Sequence, residues 1–213
     1  TTFAINNAFS DIASGLAKTI LVINPEISTP AVNFTHRDKH FIFGDGCAAT
    51  IIQKDSSSEK SFRILDRKLF TQFSNNIRSN YSYLNRAAID AKDNDDLLFH
   101  QYGRGVFKDV CPLVAKLISD QLESNNIDPK DISKFWLHQA NGKMIRLITS
   151  KILGTDDFDS TIAPMPIINF GNLASVGSLF AFNLDNYIEA CQKGVSCSFG
   201  AGYSVCSLIV EKA

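Results

Sequence analysis

FWLHQAN, residues 135–141, sets three apolar residues against a histidine and then opens a helix. Phe135, Trp136 and Leu137 continue from Lys134 as a run too short for a helix, which is a strand pattern. Beyond it Met144, Ile145, Leu147, Ile148 and Ile152 recur at helical spacing, and Gly154 closes them. Asn141 can cap that helix. The stretch thus reads as a strand feeding a helix, with His138 at the joint.

The same alternation extends in both directions. Upstream, Val106, Val110, Leu113, Val114, Leu117, Ile118 and Leu122 form a helical stripe that ends at Asn126-Ile127-Asp128-Pro129. Downstream, a helix is expected from about Val176 to Cys191, then a strand Val195–Phe199, the turn Gly200-Ala201-Gly202, and a strand Tyr203–Val210. At the other end Phe3, Ile5, Ala8, Phe9, Ile12, Ala13 and Leu16 predict a helix packed on several sides. The run Ile20–Ile23 reads as a strand ended by Asn24-Pro25. Phe41–Phe43 and Cys47–Gln53 read as two strand pieces around a tight glycine turn, and Phe62–Phe73 as the next strand. Residues 75–102 are polar and irregular, an excursion of the kind that carries function. Strands and helices in this order indicate an α/β layered fold.

Composition narrows the function classes. Lys plus Arg (21) and Asp plus Glu (22) nearly cancel in 213 residues, so no global field gathers nucleic acid or coats a membrane. Apolar runs such as Thr19–Ile23 fall far below the roughly 20 residues of a membrane-spanning helix. The five cysteines, Cys47, Cys111, Cys191, Cys197 and Cys206, are scattered and never spaced as CxxC. They predict buried thiols in a reducing, cytoplasmic setting, with no metal site and no disulfide.

Three stretches carry candidate chemistry: His138-Gln139-Ala140-Asn141, Asn169-Phe170-Gly171-Asn172 and Phe199-Gly200-Ala201-Gly202. Each puts a polar donor or a glycine turn where elements meet, so their donors can converge on one pocket. Singly, each also reads blandly: a core histidine with a helix cap, a turn, and a hairpin. FGDG at 43–46, GRGVFK at 103–108, HQAN at 138–141, FGN at 170–172 and FGAG at 199–202 together, in this order, resemble the later part of β-ketoacyl-acyl-carrier-protein synthase III, a thiolase-fold condensing enzyme. Ile23-Asn24-Pro25-Glu26 and the segment Thr71–Arg78 look closest to a divergent bacterial branch of that family.

The resemblance implies a chemistry. Such an enzyme loads an acyl primer onto a cysteine, decarboxylates a malonyl thioester and joins the carbanion to the acyl carbon. Decarboxylation builds charge on the thioester oxygen, which two fixed donors must meet. By resemblance these are His138, neutral and donating, and Asn172. The acyl-transfer oxyanion falls to the turn, with Ala201 N–H as the donor beside Gly200. Gly103, Phe107 and Asn141 correspond to contacts with the pantetheine arm, while Arg104 and Gly105 depart from the commoner pattern there. Lys108, Lys143, Arg146 and Lys151 correspond to a basic face for the acyl carrier protein; for Arg146 and Lys151 a plain solvated helix is an equal reading. Lys143 stands where arginine is usual, so a bidentate phosphate contact becomes a point charge. Coenzyme A or carrier-protein thioesters are expected as substrates, with no cofactor, and a homodimer is expected of the intact enzyme.

In the family the nucleophilic cysteine opens the helix that here starts at Thr1-Thr2-Phe3. By register it falls a few residues before Thr1. The chain therefore reads as a C-terminal portion: an incomplete thiolase-like αβαβα fold with segment 1–74 ending the first half, excursion 75–102, and second half 103–213. Alone it is expected not to turn over. Two alternatives stay open: a non-catalytic subunit of a heterodimer, whose partner would cover Phe3 and Phe9, and a hydrolase pairing Cys47 with His138.

Overall fold

The computed structural model describes residues 1–33, 41–55, 58–79 and 98–213. Helix α1 (Thr2–Ala13) buries Thr2, Ile5, Ala8 and Ile12, a stripe on one side of the cylinder and not the several sides its small residues suggest. Phe3 and Phe9 are half-buried. The Arg67 guanidinium lies 3.9 Å from the Phe9 ring centre and donates to the Asn6 carbonyl and side chain at 3.2 and 3.0 Å.

Strand β1 (Thr19–Glu26) pairs antiparallel with β2 (Gly46–Gln53), Leu21 facing Ile51 and Pro25 facing Cys47. It does not stop at Asn24-Pro25. In a two-stranded sheet every strand is an edge, where a missing N–H need not break a ladder. Of the piece 41–43 only Phe43 makes a bridge, to Asn172.

The remaining elements follow as β3 (Phe62–Thr71), the short pair β4 (Ile77–Ser79) and β5 (Phe99–Gln101), α2 (Gly103–Ser124), β6 (Ile132–Leu137), α3 (Gly142–Leu153), α4 (Ile167–Phe170), α5 (Gly177–Leu184), β7 (Lys193–Gly200) and β8 (Ser204–Lys212). Much of the expected excursion, residues 80–97, lies outside the described residues. Four strands form one sheet in the order β3-β8-β7-β6, with β6 and β7 parallel and the other pairs antiparallel. β3, expected to close the first segment, is thus hydrogen bonded to β8 of the second.

Strand β6 divides the core. Phe135 and Leu137 join the cluster under α2 and α3, with Val110, Ile118, Leu122, Ile145 and Ile148. Trp136 points the other way, into a cluster with Ile5, Leu179, Ala181 and Leu208. Each such fully buried side chain contributes about 1.5–3 kcal/mol of hydrophobic stabilisation. Among the described residues the layers run helices α2 and α3, the four-stranded sheet, helices α1 and α5, then β1 and β2. Leu21, Ile23 and Ile51 are exposed on the far side of the last layer.

Helix α5 stops at Leu184, seven residues short of the expected Cys191. The reason is Trp136: its Nε1–H donates to the Asp185 carbonyl at 2.7 Å, while Lys134 pairs with the Asp185 carboxylate at 2.8 Å. Those two bonds draw the chain out of helical geometry. β7 and β8 flank the Ala201–Tyr203 turn as the glycine pattern implies.

Candidate active site

The parallel register of β6 and β7 continues one residue past the strand, since the His138 N–H donates to the Cys197 carbonyl at 2.8 Å. The chain then turns, with Ala140 N–H donating to the His138 carbonyl at 3.0 Å. Asn141 caps α3, its Oδ1 accepting from Met144 N–H at 2.9 Å. This fixes the histidine backbone at the end of a strand whose last three residues are all buried.

The imidazole of His138 is buried and stands edge-on to the Phe199 ring, 4.6 Å between centres. Desolvation pulls its pKa down to about 4, so the ring is neutral near pH 7. A neutral imidazole offers one N–H donor. Its Nδ1 is buried and has no protein partner, while a hydrogen bond from the ring to the Ala174 backbone partly opposes the desolvation.

Asn172 is held from both sides. Its N–H donates to the Ile42 carbonyl at 2.6 Å and its carbonyl accepts from Gly44 N–H at 3.0 Å. That approach needs Gly44, because a Cβ there would strike the Phe170 carbonyl oxygen. The Asn172 Oδ1 accepts from Ala174 N–H at 3.0 Å, which leaves the side-chain NH2 as the free donor. Histidine and asparagine thus come to the same place from separate segments, the end of β6 and the turn after α4.

Both line a cavity of about 870 Å3, together with Gly103, Asn141, Gly200 and Ala201. Six of the residues picked out in the sequence therefore meet in one place. Phe107 does not line it; the side chain is half-buried against the core under α2. Lys108, Lys143, Arg146 and Lys151 are exposed and outside the cavity lining, and Arg146 lies 5.7 Å over the Phe158 ring.

The cavity also holds residues that motif reading missed. Glu26 lies in its wall, its carboxylate accepting from Ser175 N–H at 3.3 Å, and Thr1 Oγ1 donates to Ser175 Oγ at 3.0 Å. Phe43, Phe99 and Ile42 give the wall apolar surface. The only signal for Ser175 was its place three residues after Asn172.

None of the five cysteines lines the cavity. Cys47 sits on an exposed position of β2, which separates it from His138 and removes the basis for a Cys47–His138 hydrolase. Burial pushes the Cys111 thiol up to about 11 and raises Cys197 and Cys206 as well, so these three are not thiolates at neutral pH.

Comparison with known proteins completes the picture. Residues 1–72 match the family model for 3-oxoacyl-(acyl-carrier-protein) synthase III, and residues 122–212 match the model for its C-terminal part. The chain belongs to the synthase III family. Because both models match, the relationship extends beyond a C-terminal portion. Among relatives, a β-ketodecanoyl-(acyl-carrier-protein) synthase of Pseudomonas aeruginosa is 46% identical over 214 residues, covering 99% of this chain and 61% of the relative. A β-ketoacyl-(acyl-carrier-protein) synthase III of Campylobacter fetus is 29% identical, covering 95% of this chain and 61% of the relative.

Solved structures agree on the fold. The synthase III of Aquifex aeolicus superposes with a TM-score of 0.79 at 23% identity, over 98% of this chain and 63% of its own. The priming β-ketosynthase of the R1128 polyketide pathway gives 0.82 at 19% identity, over 100% and 63%. The fold is therefore thiolase-like α/β, and this synthase III chain spans about three-fifths of the length of the relatives it matches. No helix among its described residues is long and apolar enough to cross a membrane.

Proposed function

We propose that this synthase III chain carries the decarboxylating half of a condensing site. The observation that carries the reading is the meeting of His138 and Asn172 in one cavity, both buried, the histidine with an unpartnered ring nitrogen and the asparagine with its side-chain NH2 free. A malonyl thioester placed there breaks the bond to its carboxylate, CO2 departs, and the bonding pair becomes an enolate whose oxygen the two donors meet. With an acyl primer on a cysteine, that carbon attacks the acyl carbonyl, the acyl carbon–sulfur bond breaks and the cysteine leaves as thiolate. Without one, the carbon takes a proton from water and leaves as an acetyl thioester.

Within these 213 residues no thiol reaches the cavity, so the chain alone does not condense. The expectation of an idle site narrows accordingly: acyl transfer is missing, while decarboxylation needs no nucleophile. Ala201 N–H beside Gly200 is the oxyanion donor of the acyl step, and the pantetheine arm runs past Gly103 and Asn141. The carrier protein docks on the exposed Lys143, Arg146 and Lys151 of α3 and on Lys108 of α2. The whole enzyme is a cytoplasmic homodimer of fatty-acid synthesis that takes coenzyme A and carrier-protein thioesters. The likeness to a β-ketodecanoyl synthase and the apolar wall of Ile42, Phe43 and Phe99 favour a medium-length acyl chain.

The test is to supply malonyl-pantetheine labelled in its carboxylate and count CO2 and acetyl-pantetheine. The chain should release both, and H138A or N172A should each slow release about 100-fold, the usual worth of one oxyanion donor. Release no faster than buffer overturns the reading.

A further inference from the structure

Gln139 separates the two halves of the HQAN motif and has had no role so far. It is 1% exposed, and its side-chain amide is fully engaged. Nε2 donates to the Leu137 carbonyl at 2.8 Å and to the Pro164 carbonyl at 3.2 Å, and Oε1 accepts from Ile167 N–H at 3.2 Å. The first of these bonds lies on β6, beside His138. The other two lie on the segment that enters α4, a helix followed directly by Gly171 and Asn172. One side chain thus spans the two segments that carry the donors.

Its position is gauged by a neighbour. A Cβ at Gly177 would sit 2.9 Å from Gln139 Cβ and 3.2 Å from its backbone nitrogen, so only a bare glycine lets α5 close on it. Glutamine is pinned from behind by α5 while its amide faces the 164–167 segment. A methionine of similar length would fill the space but offer neither donors nor acceptor, leaving the Pro164 carbonyl and Ile167 N–H without this partner.

We propose that Gln139 is a positioning residue that sets the His138–Asn172 spacing, and with it the fit of the enolate oxygen between the two donors. It touches neither substrate nor reacting atoms. Its effect passes through His138 and the Asn172 segment, and a shift of about 1 Å there is enough to cost roughly 100-fold in rate. This rests on the decarboxylation reading, so its test carries one readout that does not depend on activity.

The experiment compares Q139M, G177A and H138Q with the double variant Q139M/H138Q. For malonyl-pantetheine decarboxylation the expected result is a 10- to 100-fold fall in kcat with KM unchanged in both Q139M and G177A, on the order of what a misplaced reacting group costs. Adding Q139M to H138Q should cost clearly less than Q139M alone, because the part of its effect that passes through the histidine is already gone. G177A displaces Gln139 without changing its chemistry, and serves should Q139M fold poorly. In parallel, the His138 ring resonances, assigned by their absence in H138Q, should move in both variants at pH 7. A rate loss from Q139M that is as large in the H138Q background as in the unaltered chain would overturn the proposal, as would ring resonances that stay in place. If the unaltered chain releases no CO2, the decarboxylation reading falls, and the resonances alone decide whether Gln139 positions the histidine.

Discussion

His138→Gln should flatten the acid side of the stability profile. The imidazole has a pKa of about 4 when folded, against an ordinary 6.5. Between those values the unfolded chain takes up a proton that the folded chain refuses, so stability is complete above 6.5 and drains away as pH falls toward 4. Going from pH 7 to pH 5 this one group removes about 2 kcal/mol, and about 3 kcal/mol once pH is below 4. Asp45 and Asp159, whose pKa values are lowered by hydrogen bonds from Thr29 and Thr161, add their own losses at more acid pH. Those losses are common to both proteins and cancel in the difference. Urea unfolding at pH 7, 6 and 5 on both chains gives the number. The unaltered chain should lose about 2 kcal/mol more than H138Q across that range. Parallel profiles would mean that the folded ring titrates normally, and would refute the claim that burial holds it neutral.

Asn141→Ala removes the α3 cap and should cost about 1 kcal/mol in thermal or urea unfolding, while Asn141→Asp keeps an acceptor for Met144 N–H and should be nearly neutral. Gly44→Ala forces the Phe170–Asn172 segment aside, and CO2 release should fall about 100-fold; an unchanged rate would free Asn172 from any demand on its placement. Gly194→Ala drives a methyl group into the ring of Trp136, the sole tryptophan, and should cost about 1–3 kcal/mol. Its emission spectrum reports the repacking directly, and an unshifted spectrum with full stability would contradict the close packing of β7 on that ring.

How much could be read in advance depended on whether neighbours in sequence or neighbours in space set the outcome. β6 and α3 were legible because their apolar spacing, the Asn141 cap and the left-handed Gly154 closure are all local. The end of α5 was not, since it is fixed by Trp136 and Lys134, some fifty residues away. β1 passes through Pro25 because, among the described residues, its sheet has two strands and both are edges, which no local pattern states. In the site, His138, Asn172, Asn141 and the turn at Ala201 stood out through ordered motifs. Phe107 packs on the core and not on the cavity wall, an orientation set by the register of α2 from Gly103 that no motif spells out. Glu26 and Ser175 escaped because a carboxylate meeting a distant backbone N–H leaves no spacing to count.

The two donors differ in what it takes to let them go. The His138 amide is locked to Cys197 at the end of a strand buried on both faces, so hydrogen exchange there requires β6 to part from β7 against the packing of both core clusters. Asn172 follows a one-turn helix whose Ile168 and Phe170 are exposed, and its anchors are a handful of loop hydrogen bonds. Its amide should exchange by local opening, orders of magnitude sooner. Mild heat would therefore disarm this protein by fraying one small turn, while every signal from the sheet still reported it folded.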